Sequence, residues 1–234
     1  KRYSDSRQSL EKAQALAPYD VYNFAQMGDL LLVQKAYAAA IVQYDQALRL
    51  NPKHRLVACA KSEAHVALGQ WEAAIAVYSD LIDQAPRDAP LPRPRATLYA
   101  QTAQWAAAEA DLTKALRLQG PHAATYQSRA RAHSALQAPK RALQDLEAAL
   151  QLQPDWVDAL VERAAIKCTL YDLKGAIQDC NRALKLNPDQ AAAYYHRACA
   201  KHKNGNGKAA CTDWQRAADL YDKQATAALA QYCD

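Results

Sequence analysis

A period of 34 residues runs through this chain of 234. Taking DLKGAIQDCNRALKLNP, from Asp172, as a template, the pattern returns in register as AYAAAIVQYDQALRLNP from Ala36, QWEAAIAVYSDLIDQAP from Gln70 and QWAAAEADLTKALRLQG from Gln104. It returns again as APKRALQDLEAALQLQP from Ala138 and NGKAACTDWQRAADLYD from Asn206, and no insertion breaks the register. Read as a helix, the template puts Leu173, Ala176, Ile177, Cys180, Ala183, Leu184 and Leu186 on one apolar stripe. Asn187-Pro188 ends it, because proline cannot continue a helix and disfavours helix in the residue before it. A fixed period in this range predicts a repeat array, whose units are each too small to bury their own apolar face and must stack on their neighbours.

The register divides the chain into six full repeats, 21–54, 55–88, 89–122, 123–156, 157–190 and 191–224. Residues 1–20 read as the second helix of a truncated repeat, and 225–234 as the start of a helix that caps the last apolar face. We therefore expect a single domain over 1–234, with Asp234 as a natural C-terminus. The first residues, Lys1-Arg2-Tyr3, carry neither an initiator methionine nor a signal pattern, so the chain reads as a piece of something longer. Position by position, the twentieth residue is Ala40, Ala74, Ala108, Ala142, Ala176 and Ala210, and the eighth is always small: Gly28, Ser62, Ala96, Ala130, Ala164 and Ala198. Small residues at fixed places predict close approach of two backbones.

These positions resemble the tetratricopeptide repeat family. The shared features are a large residue at position 4 (Phe24, Tyr126, Leu160, Tyr194), a small one at 8, alanine at 20 and 27, a bulky one at 24 (Tyr44, Tyr78, Leu112, Leu146, Trp214) and proline at 32 (Pro52, Pro86, Pro154, Pro188). The resemblance spans nearly the whole chain. It implies an all-α fold of the α-α superhelix class, a right-handed solenoid of antiparallel helix pairs in which helix A lines the concave side. The family usually has leucine at position 7, whereas four repeats here pair an arginine at 7 with an aspartate at 23. Their joint presence predicts an ion pair between helices A and B in each: Arg95 with Asp111, Arg129 with Asp145, Arg163 with Asp179 and Arg197 with Asp213. The third repeat departs further, with Pro90, Pro92 and Pro94, so its first helix is expected to start near Pro94.

By the helical wheel, positions 2, 5, 9, 12 and 13 of helix A lie opposite the buried side, and the resemblance makes that free face the ligand groove. Its candidates are Tyr22, Asp29, Glu63, Arg93, Gln127, Arg131, Asp158, Tyr195, Cys199 and His202. The Arg93 and Arg131 stretch would suit an acidic segment of a peptide. Ala25 and Asp29 do not match the Lys, Asn, Asn, Lys, Arg clamp with which some relatives hold a C-terminal carboxylate.

Other chemistries find little support. His196, Cys199 and His202, with Cys168 one repeat earlier, could be imagined around a soft metal, but their i, i+3, i+6 spacing drifts around the helix and no metal is assigned. Six cysteines are too sparse for a disulfide scaffold. Cys211 could still pair with Cys233, although the wheel turns Cys233 toward Cys199. His65 and His133 read as core fillers that find a hydrogen bond. A formal net charge of +5 does not imply nucleic acid. No apolar run reaches the roughly 18 residues that cross a bilayer. The chain thus reads as soluble, with the cytoplasm favoured and no compartment fixed. With no convergent nucleophile, base or cofactor site it reads as a non-enzyme: an adaptor binding an extended peptide or helix of another protein, or alternatively a structural platform using its edges or convex face. Its oligomeric state is open.

Overall fold

The computed structural model describes residues 2–84 and 92–233. It is all-α among these, and it falls into two compact halves, Lys1–Leu118 and Gln119–Asp234. The N-terminal half holds α1 (Arg2–Leu16), α2 (Val21–Val33), α3 (Tyr37–Leu50), α4 (Arg55–Ala67), α5 (Trp71–Gln84), α6 (Pro92–Gln101) and α7 (Trp105–Gln119). The C-terminal half holds α8 (Ala123–Ala135), α9 (Pro139–Leu152), α10 (Val157–Thr169), α11 (Leu173–Leu186), α12 (Ala191–Lys203), α13 (Gly207–Asp219) and α14 (Lys223–Tyr232). Even-numbered helices from α2 to α12 are the A helices of the repeats and odd-numbered ones from α3 to α13 the B helices.

Each A helix stops the same way. Residue 15 of every repeat is left-handed: Lys35, Ala103, Gln137 and Tyr171 have φ between 56° and 63°, and Gly69 and Gly205 have φ of 72° and 81°. The next amide returns to the carbonyl five residues back, as in Ala138 to His133 at 2.8 Å and Asp172 to Lys167 at 2.9 Å. That bond satisfies a carbonyl the helix end would otherwise leave open. Asp172, Asn206 and Asp222 then cap the following helices, accepting from the amides of Gly175, Ala209 and Ala225.

The two small positions mark where A and B cross. Ala40, Ala74, Ala108, Ala142, Ala176 and Ala210 are all fully buried, and so is each residue at position 8. Ser62 shows how near the backbones come, since its hydroxyl donates to the Ala74 carbonyl at 3.2 Å. Larger side chains fill the space on either side of these crossings. Tyr44, Met27 and Leu31 do so in the N-terminal half, Leu146, Leu150 and Leu160 in the C-terminal half.

Helix α6 begins at Pro92, two residues earlier than its prolines predict. The first-turn amides of a helix have no partner within it, so prolines there forfeit no bond. Burial of Pro92 outweighs the local cost at Arg93. Pro90 and Pro86 lie outside the described residues. At the other end, α14 starts at Lys223 instead of 225, because Asp222 supplies its cap.

Candidate interaction face

The four arginine–aspartate couples meet as two-pronged ion pairs between helix A and helix B. Arg129 donates from Nε and Nη2 to the two carboxylate oxygens of Asp145 at 2.9 and 2.6 Å. Arg95 does so to Asp111 at 2.7 and 2.7 Å, Arg163 to Asp179 at 2.8 and 2.6 Å, and Arg197 to Asp213 at 2.8 and 2.7 Å. All four aspartates are buried and the arginines are mostly covered. Desolvation of this degree calls for further partners, and they are present. Position 11 of three of these repeats adds a second basic group: His133 lies 3.5 Å from Asp145, Lys167 2.8 Å from Asp179 and Lys201 2.7 Å from Asp213. Arg95 and Arg197 also reach back to the preceding repeat, donating to Ser79 and Asn181. His133 is thus a buried residue with a polar partner in Asp145, and the two lysines were not anticipated.

These networks join the A helix of each of these repeats to its B helix, and the candidate residues stand elsewhere on the A helices. In the N-terminal half, Tyr22 is exposed, with its ring centroid 6.0 Å from that of His54 in an edge-to-face arrangement. Asp29 accepts from the buried Tyr44 hydroxyl at 2.8 Å, and Glu63 is exposed one repeat further on. Arg93 is half-buried in the first turn of α6.

The C-terminal half brings more of the candidates together. Gln127, expected on the free face, is buried and donates to Glu162 Oε1 at 3.0 Å. Arg131 remains exposed, yet both its Nε and Nη2 also bond to that same oxygen. Glu162 was not among the candidates; it stands at position 6, on the border between the free and buried sides of the wheel. Burial raises its pKa, and Arg131 opposes that rise only in part. Beside this triad a cleft of about 270 Å³ opens between α8 and α10, lined by Ala130, Arg131, Ser134, Glu162, Ala165 and Ile166 over Leu146. Asp158 is exposed one turn before Glu162 and accepts from Gln190 at 3.2 Å.

Around α12 the side chains serve the cap instead. His202 lies against Trp214 and Tyr232, with ring centroids 5.4 and 4.7 Å away, and Tyr195 is half-buried beside Cys199. Lys203 stands over the Tyr171 ring at 5.2 Å and donates to the Cys168 carbonyl. Cys211 and Cys233 form a disulfide between α13 and the end of α14. Cys168, Cys180 and Cys199 are free thiols, and burial raises the pKa of each, that of Cys180 to about 12. Among the described residues no three His, Cys, Asp or Glu side chains group as metal ligands, and no helix is long and apolar enough to cross a membrane.

Comparison with known proteins agrees with this architecture. No curated protein matches the chain. The C-terminal part of a TPR repeat-containing protein from Cytophaga hutchinsonii superimposes with a TM-score of 0.77 at 14% identity, covering 97% of this chain and 95% of that one. YrrB, described as a TPR protein with an unusual peptide-binding site, gives 0.68 at 17% identity over 80% of this chain and 97% of its own. A tetratricopeptide repeat protein from Parabacteroides merdae ATCC 43184 gives 0.65 at 18% identity over 94% and 88%. Residues 31–93 match the tetratricopeptide repeat model, and the six repeats in one register carry a fold similar to that of tetratricopeptide repeat proteins along the described chain.

Proposed function

We infer that this protein is a binding module whose A-helix face holds an extended segment or helix of another protein. The observation that carries the reading is the cleft between α8 and α10. It is open on the A-helix face, has an apolar floor of Ala130, Leu146 and Ile166, and is rimmed by Arg131, Ser134 and Glu162. A concave apolar floor with a few polar groups is how a peptide side chain is held and oriented. The peptide-binding site of YrrB, which shares the fold, supports the same reading.

The test is selection followed by mapping. A displayed library of random peptides is panned over the folded chain, and recovered peptides are titrated into labelled protein while methyl and amide resonances are followed. Shifts centred on Ser134, Ala165 and Ile166 are expected. Shifts confined to α9, α11 and α13 would move binding to the B-helix side and favour an assembly platform.

A further inference from the structure

The reading above leaves open what the cleft selects, and Glu162 answers that. Its Oε1 takes all three local donors, Gln127 Nε2, Arg131 Nε and Arg131 Nη2. Its Oε2 accepts no hydrogen bond from the described residues and is not sealed from solvent, while the side chain lines the cleft. A carboxylate oxygen in a partly desolvated place without a donor is a strong acceptor awaiting one. The local charge has the matching sign. Arg131 offsets Glu162, Asp158 adds a negative charge one turn away on α10, and Lys167 is committed to Asp179 on the other side of the helix.

The shape narrows the donor. Leu146, Ala165 and Ile166 would cover an aliphatic stem, and Ser134 stands with Glu162 around the cleft to meet a polar head. A ligand with a methylene stem and a cationic tip satisfies both, as long basic side chains do when they lay their stems on apolar surface. One open oxygen suits a compact ammonium better than a guanidinium, whose fork needs two acceptors side by side, and Oε1 is already occupied.

We propose that the cleft between α8 and α10 is a lysine pocket, in which Glu162 Oε2 and the Ser134 hydroxyl receive the ammonium of a lysine from the bound protein segment. The proposal rests on the binding-module reading and reverses, at Arg131, the expectation drawn from Arg93 and Arg131 that an acidic segment would bind.

Heptapeptide libraries with capped ends, fixed at the centre as lysine, arginine, norleucine or glutamate, are titrated while the Ala165 and Ile166 methyl signals are followed. Norleucine keeps the stem and lacks the charge. Lysine is expected to bind about tenfold more tightly than norleucine, the worth of one charge-assisted hydrogen bond, with arginine between them. Glu162→Gln keeps an oxygen for Gln127 and Arg131 and should fold, as its melting curve will show. It should reduce the lysine preference to about twofold or less. Ser134→Lys, at an exposed site, places a cation in the cleft and should abolish the preference in a second folded background. Equal binding of lysine and norleucine, preference for glutamate, or a lysine preference that survives Glu162→Gln would overturn the proposal. Peptides from the panning experiment that shift the A-helix face elsewhere would leave the binding-module reading standing while this one fails.

Discussion

Gly28 lies against the ring of Tyr44 so closely that a Cβ added to it would stand 2.4 Å from Cε1. The missing side chain is what lets this ring lie fully buried between α2 and α3 and its hydroxyl reach Asp29. Gly28→Ala should therefore cost about 1 to 3 kcal/mol, read from urea unfolding. Adding Tyr44→Leu should recover most of that loss, because Ala96 with Leu112 and Ala130 with Leu146 are the pairings used in the third and fourth repeats. A double variant no more stable than Gly28→Ala would show that the cost does not come from the ring.

The interhelical ion pairs should behave as buried ones. Asp145 is 6% exposed and holds Arg129 by two bonds, with His133 alongside. Asp145→Asn is expected to lower stability by about 3 to 5 kcal/mol by stranding the guanidinium. Arg7 and Glu11 on α1 are the contrast, both more than half exposed, and Glu11→Gln should change stability by less than about 1 kcal/mol. Thermal melts of the two variants side by side would decide it, and equal effects would put Asp145 among surface charges.

Four repeats turn from A to B on a non-glycine residue in the left-handed region, where a Cβ crowds the following carbonyl. Ala103, with φ of 56°, is exposed, so its methyl buries little. Ala103→Gly should raise stability by about 0.5 to 1 kcal/mol, the strain relieved less the extra freedom of glycine in the unfolded chain. Tyr171→Gly should gain less, since its ring lies under Lys203. A drop in the melting temperature for Ala103→Gly would refute the strain.

Reducing the Cys211–Cys233 bond should loosen α14 first. The bridge closes a sequence separation of 22, for which the chain-entropy account gives about 3 kcal/mol. Hydrogen exchange after treatment with a dithiol should show faster exchange across Lys223–Tyr232, with α8 to α11 unchanged. Cys168, Cys180 and Cys199 are held as thiols by burial, so reshuffled bonds are not expected. Faster exchange spread evenly through the C-terminal half would mean the bridge steadies the whole stack.

The sequence disclosed what recurs inside one repeat and concealed what depends on two. The arginine at 7 and aspartate at 23 were legible because they come and go together, and the structure places them in contact. Lys167 and Lys201 escaped notice because position 11 holds a different residue in most repeats, so no co-occurrence announces it. Gln127 looked open on a wheel of one helix; its cover is Glu162 from the next repeat, whose offset no period encodes. Cys233 misled for another reason. It is the residue after the last turn of α14, with φ −125° and ψ 114°, so a helical wheel does not describe where it points.

The pairing of residues 7 and 23 within one repeat also bears on how such an array changes length. Excising 157–190 as a block would remove Arg163 and Asp179 together, and duplicating it would add both, so either event leaves each arginine at position 7 with its own aspartate at position 23. Loss of a single helix would strand one partner in a buried place. The charge pattern thus makes the hairpin, and not the helix, the smallest piece by which a chain of this kind can be lengthened or shortened without splitting one of these buried pairs.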